Sequence, residues 1–310
     1  MTTIQIAIVG LGKIARSQHV PAIAATDGIE IVAVADPHAT LEGVAHFSTL
    51  AEMLAQAPGI DAVAFCTPPQ VRSTLAAAAL AAGKHVLLEK PPGATVSELG
   101  PLVAAAEESG TTLFASWHSR FAPAVEPARA FLANRTIRSV VTTWKEDVRV
   151  WHPGQRWIFE AGGLGVFDPA INALSILTRI LPRPFFVTAA ELAFPSNCDA
   201  PIAAKLEFSD QTGIAMRAEL DFLQSGQQTW EIRVETDDGW LTLSAGGAKL
   251  TYAGVALVDE KKAEYPALYR HFVELIRRGA SDVDLAPLIH VADAFMLGRR
   301  IVVAPFEDRP

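Results

Sequence analysis

A lysine at the end of an apolar run is the residue best suited to chemistry in this sequence. Lys90 follows the predicted strand His85–Leu88 and Glu89, and it precedes the pair Pro91-Pro92. In an open α/β sheet, ligands bind at the carboxyl ends of the strands. The Lys90 ammonium, followed by two conformationally restricted prolines, is therefore expected to lie close to a bound substrate or cofactor.

A glycine-rich turn near the amino terminus has the pattern of a nucleotide site. Gly10, Gly12 and Ala15 fit G-x-G-x-x-G/A, between a predicted strand at Ile4–Val9 and a predicted helix at Lys13–Thr26. The first glycine permits the tight turn, and the second lets the backbone approach a pyrophosphate at the helix amino terminus. The residues expected to contact a dinucleotide here are Gly10, Gly12, Lys13 and Ile14.

An acid after the second predicted strand indicates which dinucleotide binds. Asp36 follows the glycine turn by about 20 residues, the spacing of an acid that binds the ribose 2′-hydroxyl. Because His38 and not an arginine comes next, the sequence favours NAD, although His38 leaves NADP possible. Thr67 and Pro68 end the third long strand, where they either pass beneath the cofactor or form a plain strand-ending turn.

The elements that position these residues alternate in the first half of the chain. Apolar strands separated by helices predict a parallel sheet covered on both faces. Besides those named above, the predicted strands are Ile29–Ala35, Asp61–Cys66 and Thr112–Ser116, and the predicted helices are Pro69–Ala82 and Val96–Ser109. We expect a dinucleotide-binding Rossmann domain over residues 1–119.

The second half changes to apolar/polar alternation, which predicts a mostly antiparallel sheet with one face buried. We expect an α+β domain for substrate binding and oligomerisation over residues 120–310, with the last helices packing back on the first domain. The predicted strands are Val140–Val150, Phe185–Phe194, Ile202–Phe208, Gly213–Phe222, Thr229–Glu235 and Trp240–Ser244. The predicted helices are Ala124–Asn134, Pro169–Ile180, Ala267–Arg278 and Pro287–Val302.

Composition narrows the class of protein. Hydrophobic residues make up 50% and charged residues 19% of the 310 residues. This length and hydrophobic content are sufficient for two domains, each with its own hydrophobic core. A net charge of −8 argues against nucleic-acid binding. The two cysteines form no disulfide framework, no cluster has zinc-site spacing, and no run approaches a membrane span. We therefore expect a cytoplasmic protein without a metal.

The glycine turn, the segment Glu89-Lys90-Pro91, the segment Ser119-Arg120-Phe121 and the β-rich second half together resemble one family. It is the glucose–fructose oxidoreductase / inositol 2-dehydrogenase (Gfo/Idh/MocA) family of NAD(P)-dependent sugar oxidoreductases. The resemblance implies a Rossmann domain joined to a large, open-faced, mostly antiparallel sheet. It also implies that Glu89 and Lys90 lie at the cofactor, with Lys90 in the active site.

The family usually carries an Asp and a His four residues apart on a helix, and this chain departs from that pattern. Asp168 is present, but Asn172 stands in the place of the histidine, and an amide cannot accept a proton. The Asp-to-Asn pattern, Trp151-His152-Pro153 and Trp230 resemble the aldose 1-dehydrogenases that act on D-galactose and L-arabinose. The resemblance implies oxidation of an aldose at C1 to the lactone, with hydride transfer to NAD(P).

The resemblance leaves two groups as candidate bases for the anomeric hydroxyl. We favour Asp168 as base, Lys90 as the group that stabilises developing charge, and Asn172 as the residue that orients the hydroxyl. However, Asp followed by Pro is also an ordinary helix cap. If the carboxylate is used as a cap, Lys90 becomes the better base.

Other polar and aromatic residues are candidate sugar contacts, each with a purely structural alternative. The candidates are His118, Glu146, Trp151, His152 and Trp230. His118 could instead be a core histidine, Glu146 could lie on a solvated strand face, His152 could begin a loop, and tryptophans more often fill a core.

Alternative functions and a partner also follow from the fold. A sugar-sensing regulator that binds NAD without turnover is one alternative, and an inositol dehydrogenase or an imine or enone reductase is another. An open sheet also leaves an apolar face to be covered, so we expect a homodimer through that face, with a tetramer as the alternative. The residues expected to supply it are Ala203, Leu206, Ala215 and Val234.

Overall fold

The computed structural model describes residues 2–261 and 263–308. They form two compact units, Met1–His118 with Glu264–Asp284, and Ser119–Ala263 with Leu285–Pro310. One contains a parallel sheet and the other a mixed, largely antiparallel sheet. The predicted fold class is therefore confirmed.

The parallel sheet of the first unit has six strands in the order β3-β2-β1-β4-β5-β6. The order changes direction between β1 and β4, and this switch point is where open α/β sheets bind ligands. The strands are β1 (Ile4–Val9), β2 (Ile29–Ala35), β3 (Ala45–Phe47), β4 (Ala62–Phe65), β5 (His85–Glu89) and β6 (Leu113–Ser116).

The helices, in chain order, occupy both units. After the glycine turn a π-helical stretch at Ala15–His19 runs into α1 (Val20–Ala24). The others are α2 (Leu50–Gln56), α3 (Pro69–Ala81), α4 (Leu99–Ser109), α5 (Val125–Leu132), α6 (Val148–Trp151), α7 (Phe167–Ile180), α8 (Glu264–Arg278) and α9 (Ala286–Leu297). Helix α8 belongs to the first unit. None of the helices in the described residues is long and apolar enough to cross a bilayer.

The sheet of the second unit has nine strands in the order β14-β13-β12-β11-β7-β10-β9-β8-β15. Its pairs are antiparallel except β7 with β10 and β8 with β15. The strands are β7 (Ile137–Lys145), β8 (Phe185–Pro195), β9 (Ala203–Asp210), β10 (Ala215–Asp221), β11 (Thr229–Thr236), β12 (Gly239–Ser244), β13 (Lys249–Tyr252), β14 (Val255–Asp259) and β15 (Arg299–Val303).

One face of this sheet is covered by helices, and the other is polar. Phe208 of β9 lies against His290 of α9, with ring centroids 5.9 Å apart. Because side chains alternate between the two faces of a strand, every second residue of β9 counted from Phe208 also faces the helices. Leu206 and Val234 are 1% and 0% exposed. The expectation that Leu206 and Val234 supply an open apolar face is therefore wrong, whereas Ala203 is half-buried and Ala215 is exposed. The opposite face instead carries Lys205, Glu207, Arg217 and Glu219 in cross-strand pairs.

Two predicted elements end earlier than predicted, the first because of a local helix cap and the second because of a distant strand partner. The strand predicted at Val140–Val150 ends at Lys145, and α6 follows because the Asp147 side chain caps it by accepting from Arg149 N. The helix predicted at Pro287–Val302 ends at Leu297. The rest forms β15, whose parallel partner β8 lies about a hundred residues earlier, beyond the reach of local periodicity.

Candidate functional site

The glycine turn connects β1 to the following helix at the switch point of the first sheet. Gly10 has φ +87°, and a Cβ there would lie 3.0 Å from both Thr67 Cγ2 and Thr67 N. A Cβ on Gly12 would meet nothing within 4 Å. A positive φ and this close approach require glycine at the first position. The open space over the second leaves room for a pyrophosphate, so these residues fit a dinucleotide.

Asp36 ties the end of β2 to the glycine turn. Its Oδ2 accepts from Leu11 N at 2.7 Å, and its Oδ1 accepts from the backbone N–H groups of His38 and Ala39. Burial opposes ionisation, but these three N–H groups lower the pKa of the Asp36 carboxyl below its usual value. The acid is therefore a carboxylate at neutral pH, as the ribose interpretation requires.

The other expected cofactor contacts of this unit cluster near the carboxyl ends of the strands. Lys13, Ile14, His38 and Pro68 are exposed, whereas Thr67 is half-buried after β4. Lys90 is half-buried directly after β5. Since β2, β1, β4 and β5 are consecutive neighbours in one parallel sheet, all these positions lie at the carboxyl-terminal edge of that sheet.

Arg72 of α3 holds the segment that carries Lys90, and the sequence analysis missed it. Its guanidinium donates to the backbone carbonyls of Thr67, Glu89 and Pro91. Arg72 is only 3% exposed, although it lies in an alanine-rich helix. An arginine on the buried face of such a helix is the signal that could have found it, because buried charge is rare unless it is paired.

Glu89 lies at the centre of a buried polar network. Its Oε1 accepts from Tyr265 Oη at 2.5 Å and lies 3.3 Å from His19 Nε2. His19 Nδ1 in turn lies 2.7 Å from Tyr269 Oη. His118, expected as a sugar contact, stacks on Tyr265 at 5.1 Å. Glu89, expected as a cofactor contact, therefore directs its carboxylate into this network.

The charges in this network depend on one another. Burial raises the pKa of Glu89, but the hydrogen bond and charge of His19, with smaller contributions from His118 and Lys90, lower it to about 2. Burial opposes protonation of His19, but Cys66, Tyr269 and Glu89 raise the pKa of His19 well above its usual value. Sequence reasoning missed His19, Tyr265 and Tyr269 because α8 follows the glycine turn by more than 200 residues.

In the second unit, Asp168 is not a helix cap. Helix α7 begins at Phe167, and its N-cap Val166 makes no side-chain cap bond. Asp168 is thus already inside the first helical turn, and it is 2% exposed. Asn172 lies four residues later and is half-buried on the same helix face. The alternative in which Asp168 is the N-cap residue of this helix is therefore wrong.

A histidine approaches Asp168 from a separate segment. His152 Nε2 lies 3.7 Å from Asp168 Oδ2 and 3.7 Å from Glu146 Oε1. Glu146 follows β7, is 5% exposed, and its Oε2 accepts from Trp230 Nε1 at 2.8 Å. Trp151 is 41% exposed, and its ring lies edge-on to Trp230 at 5.1 Å. The second unit therefore brings Glu146, Trp151, His152, Asp168 and Trp230 into one cluster.

The cluster combines hydrogen-bond acceptors, an imidazole and aromatic rings, which suits a polyhydroxylated substrate. Two carboxylates accept from hydroxyl groups, and indole rings offer flat apolar surfaces for the C–H faces of a sugar ring. In the described part of the chain, no group of three or more His, Cys, Asp or Glu side chains is arranged to hold a metal ion. The groups present suit acid–base chemistry on a hydroxyl.

Comparisons with known proteins agree with this chemistry. The model of an oxidoreductase family with an NAD-binding Rossmann fold, GFO_IDH_MocA, matches residues 4–116. The galactose 1-dehydrogenase of Pseudomonas fluorescens is 48% identical over 308 residues, covering 99% of this chain and 100% of that protein.

Solved structures show the same relationship at the level of the fold. The crystal structure of a D-galactose-1-dehydrogenase protein from Rhizobium etli superposes with a TM-score of 0.95, at 58% identity and with 99% of each chain covered. The WlbA dehydrogenase from Bordetella pertussis, solved with NADH and UDP-GlcNAcA, has a TM-score of 0.82 at 21% identity, covering 96% of this chain and 95% of that one. This second likeness supports the fold alone.

Proposed function

Because the chain belongs to the GFO_IDH_MocA oxidoreductase family, with its NAD-binding Rossmann fold, we propose that it is an aldose 1-dehydrogenase. The substrate is D-galactose, L-arabinose or both, and the product is the corresponding lactone. The observation that carries this proposal is the full-length similarity to a galactose 1-dehydrogenase. The cluster around His152 and Asp168 supports it, because it offers the acceptors that a sugar hydroxyl needs.

The cofactor is NAD, with NADP possible, and the sheet edge of the first unit holds it. Its binding residues are Gly10, Gly12, Lys13, Ile14, Asp36, His38, Thr67, Pro68 and Lys90. The bound nicotinamide accepts the hydride from C1 of the sugar. The Asp36 carboxylate binds the ribose hydroxyls, and its charge disfavours a 2′-phosphate.

Three residues act on the reacting hydroxyl. The Lys90 ammonium stabilises negative charge on the anomeric oxygen while the proton leaves. The Asn172 amide orients the hydroxyl without accepting its proton. The Asp168 carboxylate acts as the base that accepts the proton of this hydroxyl, with Lys90 as the alternative base. Glu146 accepts hydrogen bonds from other hydroxyls, while Trp151 and Trp230 pack against the sugar ring.

Turnover with a panel of sugars tests this proposal. NADH formation is followed by absorbance with D-galactose, L-arabinose, D-glucose and myo-inositol. We expect D-galactose or L-arabinose to reduce NAD, and we expect Lys90→Ala to lower kcat by at least about a hundredfold. Lys84→Ala is the control, because that ammonium donates to Pro58 O on the surface of the same unit.

The alternatives give different results in the same assay. Measurable NAD binding with no turnover of any sugar would favour a sugar-sensing regulator, and turnover of myo-inositol alone would favour an inositol dehydrogenase. Dimerisation through the open sheet face stays a prediction. A partner there would meet charged side chains such as Lys205 and Glu219.

A further inference from the structure

A buried arginine connects two strand ends at the cofactor edge of the first unit. Arg72 of α3 donates to the carbonyl of Thr67, which follows β4. It also donates to the carbonyls of Glu89 and Pro91, the two neighbours of Lys90 in the chain. We propose that Arg72 is a positioning residue, which sets the place of Lys90 relative to the glycine turn. This inference rests on the proposed function, because Lys90 acts in that reaction.

Two of the three hydrogen bonds restrain the backbone on either side of Lys90. The Glu89 carbonyl belongs to the peptide group that directly precedes Lys90 Cα, and the Pro91 carbonyl lies one residue after it. Both carbonyls accept from the same nitrogen, Nη1 of Arg72, so the guanidinium fixes the spacing between them. The backbone from which the Lys90 ammonium extends therefore has a defined position.

The third hydrogen bond extends this restraint to the glycine turn. Nη2 of Arg72 donates to Thr67 O. Thr67 in turn lies against Gly10, where a Cβ would come within 3.0 Å of Thr67 N. One side chain therefore connects the segment that carries Lys90 with the residue that packs under the first glycine of the turn.

The burial of Arg72 keeps these bonds formed. Arg72 lies on the buried face of α3 together with Ala76, Ala79 and Leu80, and it is only 3% exposed. A buried charge is costly unless it is hydrogen-bonded. Since water has little access to this guanidinium, the three carbonyls are the acceptors that compensate its burial. The position of the guanidinium and the positions of the carbonyls therefore determine one another.

The shape of arginine suits this role. A guanidinium is planar and carries five N–H donors in a fixed fork, so it can donate to several acceptors in a defined arrangement. A lysine ammonium carries the same charge, but it is a compact group on a flexible stem. We therefore expect Arg72→Lys to keep a basic group at this position and to lose the defined spacing of the carbonyls.

Loss of this spacing should appear in the rate of the reaction. In the proposed mechanism Lys90 stabilises negative charge on the anomeric oxygen, which requires accurate placement of its ammonium. Since a misplacement of about 1 Å can cost about a hundredfold in rate, Arg72→Lys and Arg72→Ala should lower kcat by roughly 10- to 100-fold. KM for the sugar should change less, because Glu146, Trp151 and Trp230 bind it in the other unit.

A double-mutant cycle tests whether Arg72 acts through Lys90. In the wild type, Arg72→Ala should lower kcat as stated. In the Lys90→Ala enzyme the same substitution should have little further effect on kcat, because the ammonium that it misplaces is already gone. An equal fold-loss of kcat in both backgrounds would overturn the assignment. The cycle is repeated with Arg72→Lys, which retains a long basic side chain at the buried position.

Leu80→Ala is the matched control for a general loss of stability. Leu80 lies on the same buried face of α3 as Arg72 and is 0% exposed. Its truncation should lower the urea concentration at the midpoint of unfolding and leave kcat at the wild-type value. If Leu80→Ala and Arg72→Lys lower the midpoint equally and also lower kcat equally, Arg72 only stabilises the fold and the proposal fails.

Hydrogen–deuterium exchange tests the positioning role without turnover. In Arg72→Lys, the amides of Glu89 and Lys90 should exchange faster than in the wild type, whereas those of β2 (Ile29–Ala35) should not change. Unchanged exchange at residues 89 and 90 would overturn the role of Arg72. If the wild type oxidises no aldose but exchange changes as expected, the proposed function fails and the restraint on Lys90 stands.

Discussion

The buried network around Glu89 makes a quantitative prediction for the substitution Glu89→Gln. Glutamine keeps the volume of the side chain and an oxygen that accepts from Tyr265 Oη. It removes the negative charge that lies 3.3 Å from His19 Nε2, where the two side chains are 3% and 0% exposed. The variant therefore leaves a buried cation without its counter-charge.

The expected loss follows from the pKa of Glu89. That pKa falls from 4.5 to about 2 on folding, a change of about 2.5 units. At 1.36 kcal/mol per unit, ionised Glu89 contributes about 3 kcal/mol to the free energy of unfolding. The raised pKa of His19 reflects the same ion pair and is not added. Breaking a buried pair by removing one partner costs about 3–5 kcal/mol, which agrees.

The sign of the pH dependence is also determined. Because the pKa of Glu89 is lower in the folded state, its contribution is fully present above pH 4.5 and is lost as the pH falls towards 2. The difference between wild type and Glu89→Gln should be about 3 kcal/mol at neutral pH and should shrink as the pH decreases. In the wild type, acid should therefore weaken the first unit through this group.

Urea unfolding followed by circular dichroism measures the difference, with a double-mutant cycle of Glu89→Gln and His19→Gln to isolate the pair. Glu108→Gln, on the exposed surface of α4, is the control and should change stability by less than about 0.5 kcal/mol. A loss below about 1 kcal/mol for Glu89→Gln, or a difference that does not depend on acid pH, would refute the ion-pair argument.

The nucleotide site gives two further predictions. Gly10→Ala should lower the melting temperature and weaken NAD binding by roughly tenfold in calorimetry, because φ is +87° and the new methyl presses on Thr67. Gly12→Ala should leave the melting temperature unchanged but still weaken NAD binding; equal effects of both substitutions would contradict this interpretation of the turn. Asp36→Ser should raise KM for NAD and reduce the preference for NAD over NADP, measured as the ratio of kcat/KM values, because the carboxylate that repels a 2′-phosphate is gone. An unchanged ratio would show that Asp36 serves only the backbone N–H groups of Leu11, His38 and Ala39.

Local sequence patterns determined most of the first unit. The strands at Ile4–Val9 and Ile29–Ala35 have the predicted bounds, because short apolar runs rich in Ile, Val and Ala are typical of strands in a buried parallel sheet. The glycine turn follows the first strand, as predicted, and the strand order places it at the switch point of the sheet. In contrast, β15 was predicted as helix because only its distant parallel partner β8 distinguishes the two structures.

The contacts of the candidate site depended on the tertiary structure. The types of residue at positions 90, 168 and 172 indicated possible catalytic roles by themselves. A carboxylate accepts a proton, an ammonium group donates hydrogen bonds and stabilises negative charge, and an amide hydrogen-bonds without accepting a proton. The pairing of His152 with Asp168 and Glu146 was not predictable, since these residues come from three separate segments. The same holds for Glu89 and His19 with the tyrosines of α8. The spacing of residues in a sequence shows which side chains are neighbours on one helix or strand. Charged side chains from distant segments become neighbours only when the chain folds, so their effects on one another cannot be read from that spacing.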